Sequence, residues 1–259
     1  MGCAGSKPPP EAPLVAFSRV LETVPWGVLG EGLRAGGKSW ETTVDAPKPD
    51  GTVLFIDPAS VAIVRDPYFR PGDAGGAAGA IYRFLGIDKN EQFPPDVAAD
   101  LHAVGDATYK RYGYPHAIHV IHVIGPDFKR EHVEEVQAVQ MLADAYAAVL
   151  RLARDQPREL LRLCPISSGI YAGDHRERMA EITAQALVRG FELVDAEDAS
   201  ASARLPGGAD GCARVELCLF EGKTAAREFD GALRAALDQR TAAVTRGTAA
   251  GARGEAGSR

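Results

Sequence analysis

No run of about 18 apolar residues occurs in the 259-residue chain, so the sequence offers no membrane-spanning helix. Met1 to Pro13 has neither the basic opening nor the apolar stretch of a secretory signal. Basic residues are in the minority: 29 Lys and Arg face 35 Asp and Glu, a net charge of −6. A general nucleic-acid binder carries a basic surface, so no nucleic-acid partner is expected. Four cysteines (Cys3, Cys164, Cys212 and Cys218) form no CxxC pair and have no paired His spacing. Neither a zinc centre nor a disulfide framework is therefore expected, and a reducing compartment fits. His116, His119 and His122 lie close together, yet on a strand residues 119 and 122 point to opposite faces. No metal or cofactor is expected.

What is present begins at the first residues. Met1-Gly2-Cys3-Ala4-Gly5-Ser6 matches the N-myristoylation pattern, with Gly2 as acceptor once Met1 is removed. Cys3 beside it suits a second, palmitoyl chain. One acyl chain binds membrane only reversibly, whereas two anchor stably. The expected location is the cytoplasmic side of a membrane.

Four regions follow. Residues 1–13 are an acylated flexible segment with a Pro-rich spacer. Residues 14–50 are an extension of uncertain structure, with a short amphipathic helix over 14–21. Residues 51–240 form the main domain. Residues 241–259 are Ala/Gly/Arg-rich without large apolar side chains, so a frayed helix end and then disorder are expected. In the main domain, strand-like runs at 52–56, 61–64, 117–124, 160–166 and 215–220 alternate with helical patterns. The helices read as 79–85, 95–102, 133–154, 177–189 (stopped by Gly190) and 224–237. This alternation implies an α/β fold, a three-layer α/β/α sandwich around a mixed, mostly parallel sheet.

Two loops of tiny residues follow strand-like runs and precede helices. One is Gly75-Gly76-Ala77-Ala78-Gly79-Ala80; the other is Ser167-Ser168-Gly169-Ile170-Tyr171-Ala172-Gly173. Neither is a Walker loop or a GxGxxG. In such sheets ligands bind beyond the carboxyl ends of strands. Free backbone N–H groups at a helix start suit phosphate, and small residues let it approach closely. Two such loops suggest a diphosphate held from two sides.

The segments Val61-Ala62-Ile63-Val64, Gly75 to Tyr82, Gly105-Asp106-Ala107, His119 to Pro126 and Pro165 to Tyr171 occur in one order over about residues 50–237. Together they resemble the macro domain, the ADP-ribose-binding module. The resemblance implies that the loop at 167–173 wraps the distal phosphate. It implies that Tyr171 packs by the distal ribose and that the loop at 75–80 covers the diphosphate. It makes Asp57 the candidate reader of adenine. The partner it implies is ADP-ribose or an ADP-ribosylated protein.

The departures bear on chemistry. Where hydrolytic members carry Asn-Ala-Ala-Asn after the first motif strand, the chain reads Arg65-Asp66-Pro67-Tyr68. The acidic residue of the glycine loop corresponds to Ala78, which cannot transfer a proton. Asp66 and Asp73 read as loop residues, Asp174 as a helix cap and His175 as a solvated residue of a helix first turn. Hydrolysis by the family's usual route is therefore not expected, and no catalytic residue is assigned. Two alternatives stay open: an ADP-ribosyl hydrolase or phosphoesterase with substituted residues, and a ligand-free platform whose cleft is closed by Tyr68 or the N-terminal segment.

Overall fold

The computed structural model describes residues 12–34, 42–113, 117–197 and 199–255. In chain order the elements are α1 (Pro13–Val20), β1 (Leu21–Val24), β2 (Glu31–Leu33), β3 (Thr42–Val44), β4 (Val53–Ala59) and α2 (Val61–Arg65). Then come α3 (Gly76–Leu85), α4 (Pro95–Ala98), β5 (Ala107–Tyr112), β6 (Ile118–Ile124) and α5 (Glu135–Asp155). The chain closes with β7 (Leu160–Leu163), α6 (Met179–Glu197), β8 (Arg214–Cys218) and α7 (Lys223–Glu255).

Successive residues along β4 and β6 are buried, so both faces of the sheet are covered. The sheet has six strands in the order β1-β8-β7-β4-β6-β5. All neighbours run parallel except β5, which is antiparallel to β6. This is the mixed, mostly parallel three-layer sandwich expected from the alternation. On one face, Phe84 of α3 packs against Phe55, and Phe93 bridges Tyr82 of α3 to His122. The other face carries the closely packed pair α5 and α6.

Gly190 does not stop α6. It lies within the helix, and an added Cβ would meet the Ala143 carbonyl oxygen at 2.8 Å. Its smallness lets α5 approach. At the other end of the chain, α7 continues to Glu255, further than the frayed helix end expected after residue 241. An Ala- and Arg-rich composition favours helix.

The hard-to-read extension joins this sheet. β1 is its outer strand beside β8, while β2 and β3 form a separate hairpin. A buried ion pair helps hold the segment down. Arg162 Nε donates to Glu216 at 2.8 Å, and its Nη1 donates to the carbonyls of Val28 (3.2 Å) and Pro47 (2.9 Å).

The run Val61 to Val64, expected as a strand, is instead helix α2. Ser60 caps it by accepting from Ile63 N–H, and the preceding strand is β4. The β-branched residues misled, because the cap outweighs their modest strand preference over so short a stretch.

Candidate functional site

The two small-residue loops lie on segments that leave neighbouring strands of the sheet. One follows β4 and the other follows β7, and these strands are neighbours running the same way. The segment after β6 adjoins the second loop, since Ser167 Oγ donates to the Pro126 carbonyl at 2.6 Å. Ser167 holds a left-handed conformation with φ of 60°, a strained geometry for a residue other than glycine. From beneath, the buried Tyr146 hydroxyl donates to the Cys164 carbonyl and accepts from Ile166 N–H, each at 3.1 Å. The loop therefore starts from a fixed base.

Its upper part is bare. Ser168 N–H closes the turn over Ile166 and Ser167, while the N–H groups of Gly169, Ile170 and Tyr171 have no acceptor among the described residues. Consecutive free amides of this kind form an anion-binding concavity. Gly169 has no left-handed φ, and an added Cβ would meet nothing within 4 Å, so the chain itself gives no reason for glycine there. Ser168 Oγ is engaged with the Pro165 carbonyl at 3.0 Å. Ile170 is 70% exposed, Tyr171 is half-buried and Ala172 is buried in the core. Gly173 serves the fold, because its φ is +53° and a Cβ would collide with the Phe128 carbonyl.

The first loop shows the same division. Gly75 precedes α3 and would bring no Cβ within 4 Å of anything, whereas Gly76, which starts the helix, holds a left-handed φ of +57° that itself favours glycine. The amides of Gly76, Ala77 and Ala78 belong to the first helical turn, which leaves its N–H groups without intrahelical partners. Gly79 is sterically required, since a Cβ would run into the Ala74 carbonyl. Ala80 faces elsewhere, lining a hollow of about 240 Å³ shared with Leu29, Glu31, Lys48, Arg83 and Phe84.

Asp57 needs correcting. It is fully buried beneath α3, and its Oδ2 accepts from His122 Nδ1 at 2.7 Å, so it cannot contact a base at the surface. His122 Nε2 in turn meets the Tyr112 hydroxyl at 2.9 Å. Asp57 Oδ1 and the Tyr82 hydroxyl are buried near each other without a well-formed hydrogen bond between them. Burial first, and then the Asp57 charge, hold the Tyr82 phenol well above its usual range. The Tyr171 phenol adds a smaller push in the same direction.

The place compared with Asn-Ala-Ala-Asn also moves. The strand before the glycine loop is β4, so its end reads Asp57-Pro58-Ala59-Ser60 rather than Arg65 to Tyr68. Tyr68 is 90% exposed and closes nothing. Asp66 accepts from Tyr68 N–H, Asp73 accepts from Arg70 N–H, and Arg65 donates to the Ala98 carbonyl. His175 is not solvated: its Nε2 bonds the Val133 carbonyl at 2.9 Å and its ring packs edge-on to Phe128. Asp174 is 93% exposed and makes no capping hydrogen bond. These groups serve local structure, and Asp57–His122–Tyr112 is the polar network that sequence spacing missed. Strand parity could have found it, because Asp57 and His122 are register partners on one face. Gly2, Cys3 and His116 lie outside the described residues.

Residues 71–182 match the family model described as "Macro domain". Over 128 residues the chain is 28% identical to Polyprotein P1234 of Venezuelan equine encephalitis virus (strain P676), covering 49% of this chain and 4% of the polyprotein. The chain thus corresponds to a small part of that relative's length. A Trypanosoma brucei macrodomain in complex with ADP is 17% identical with a TM-score of 0.51, covering 86% of this chain and 72% of that one. An Oceanobacillus iheyensis macrodomain with MES bound is 16% identical with a TM-score of 0.50, covering 74% and 88%. Family model and fold agree, and the low identities mark the distance: residues 71–182 match the macro domain, and the fold of the chain is similar to that of solved macrodomains.

Proposed function

We propose that the edge formed by residues 75–78 and 167–171 binds ADP-ribose, free or attached to a protein, with the diphosphate held by backbone amides. The single observation behind this is the row of acceptor-free N–H groups at 169–171, beginning at a glycine that the fold does not require. An anion at such a site gains charge-assisted hydrogen bonds and meets no Cβ. The macro domain match and the ADP held by the T. brucei macrodomain support the same ligand class.

The reading is of a binder rather than a hydrolase. Ala78 carries no proton-transfer group, and Asp66 and Asp73 are spent on turns. Asp57, the carboxylate at the strand end, is shut beneath α3. Isothermal titration of the full chain with ADP-ribose tests binding, and the absence of heat at millimolar ligand would refute it. Release of ADP-ribose from a modified protein would overturn the second half.

The domain is further proposed to be held at the cytoplasmic face of a membrane by acyl chains on Gly2 and Cys3. The support is the sequence pattern alone; among the described residues no helix is long and apolar enough to cross a bilayer. Labelling with an alkynyl myristate in cells should mark the chain, and Gly2→Ala should abolish the label. An unlabelled wild-type chain would remove the proposal.

A further inference from the structure

At the opposite edge of the sheet, where β4 and β6 begin, lies a hollow of about 500 Å³. It is lined by Pro49, Asp50, Gly51, Arg111, Ala117, Ile118 and His119. That volume lies within the range of small-molecule sites, about 300–1,000 Å³. It shares no lining residue with the two small-residue loops.

The lining carries one cation, Arg111, one carboxylate, Asp50, and the imidazole of His119. Arg111 stands directly across from His119 in the β5–β6 ladder and has no hydrogen-bond or ion-pair partner among the described residues. Arg158 approaches His119 Nδ1 at 3.2 Å, and its other hydrogen bond is to the Pro157 carbonyl. A guanidinium can only donate, so His119 Nδ1 is an acceptor and the ring proton sits on Nε2. The Tyr109 hydroxyl, 2.6 Å from the same Nδ1, agrees with that tautomer. His119 is 6% exposed, and its Nε2–H has no acceptor among the described residues. Burial, then Arg158 and Arg111, lowers the His119 pKa and keeps the ring neutral at physiological pH. The one carboxylate on the lining, Asp50, holds Thr52 through Oδ1, which accepts from its N–H and Oγ1 at 2.8 Å each.

We infer that this hollow is a second binding site, independent of the diphosphate edge, for a phosphomonoester of a small organic molecule. Arg111 would hold the phosphate through its guanidinium fork, with His119 Nε2–H as a further donor. A guanidinium matches phosphate geometry and is less strongly hydrated than an ammonium. The hollow is larger than a bare oxyanion needs, which leaves room for an organic body.

The test uses the full chain, with glycerol 3-phosphate, inorganic phosphate and ADP as probes, followed by isothermal titration and amide chemical-shift changes. Glycerol 3-phosphate should bind saturably, shift the amides of residues 49–51 and 117–119, and bind more tightly than inorganic phosphate. Arg111→Ala should weaken it about tenfold or more, the loss of a charge-assisted contact. Arg111→Lys should restore part of the affinity, and ADP binding should not change in either variant. Gly169→Leu should leave glycerol 3-phosphate binding intact. No saturable binding by the wild-type chain overturns the inference. So does binding that survives Arg111→Ala and is lost in Gly169→Leu, because the probe would then occupy the diphosphate edge. Arg111 is exposed, so its replacement leaves the core untouched, and an unchanged urea midpoint verifies that.

Discussion

Gly169→Leu separates a ligand-driven glycine from a fold-driven one. An added Cβ at Gly169 meets nothing within 4 Å, and its φ is outside the left-handed region. The folded chain should accept Leu with a stability change within about 0.5 kcal/mol, as for an unremarkable surface position. The bound state should not accept it, because the new side chain occupies the space from which a phosphate oxygen would reach the amides of Gly169 and Ile170. Losing one charge-assisted hydrogen bond costs about 1.5–3 kcal/mol. That is roughly a ten- to 150-fold rise in Kd. Titration with ADP-ribose and urea unfolding on the same preparations give both numbers. An affinity equal to that of the wild-type chain would refute the reasoning, since the diphosphate would have to lie elsewhere. A large fall in stability would refute it differently, by showing that the glycine serves the fold.

Gly173→Ala should show the reverse pattern, losing about 1–3 kcal/mol in urea unfolding, because its φ is +53° and the Phe128 carbonyl blocks a Cβ. Tyr146→Phe should cost about 2–4 kcal/mol by leaving Cys164 C=O and Ile166 N–H buried and unpaired; ADP-ribose affinity should fall with it, since the loop loses its base. Arg162→Ala should cost about 3–5 kcal/mol, the penalty for leaving Glu216 buried without its partner; a midpoint shift below about 1 kcal/mol would contradict the buried pair. His119 has a folded-state pKa below its ordinary 6.5, through burial and then Arg158 and Arg111. The unfolded chain therefore takes up the proton first, so stability should hold above about pH 6.5 and decline as pH falls below it. His119→Gln should flatten that part of the curve.

The alternation of patterns made the layered α/β architecture legible, along with the long helix α5 and the buried strand β6. Boundaries and short elements were less so. β5 carries Lys110 and Arg111 on an edge strand, so it lacks the apolar signal of a buried one. β1 spans only Leu21–Val24 and gains its place through pairing with a strand nearly 200 residues later, which no local pattern reveals. In the candidate site, smallness was visible but its cause was not. Gly169 and Gly75 stand free, while Gly79 and Gly173 are fixed by carbonyls contributed by Ala74 and Phe128. Asp57 shows the same limit. A carboxylate at a strand end reads as exposed until the partner strand puts His122 beside it.

The position of β1 has a practical consequence for anyone shortening this protein. A version cut to begin at residue 51, the apparent start of the domain, would strip away the ribbon flanking β8. It would also remove the Val28 and Pro47 oxygens that quench a sequestered guanidinium. The raw backbone margin left behind would invite sticking between copies. The smallest autonomous unit should therefore reach back to Pro13.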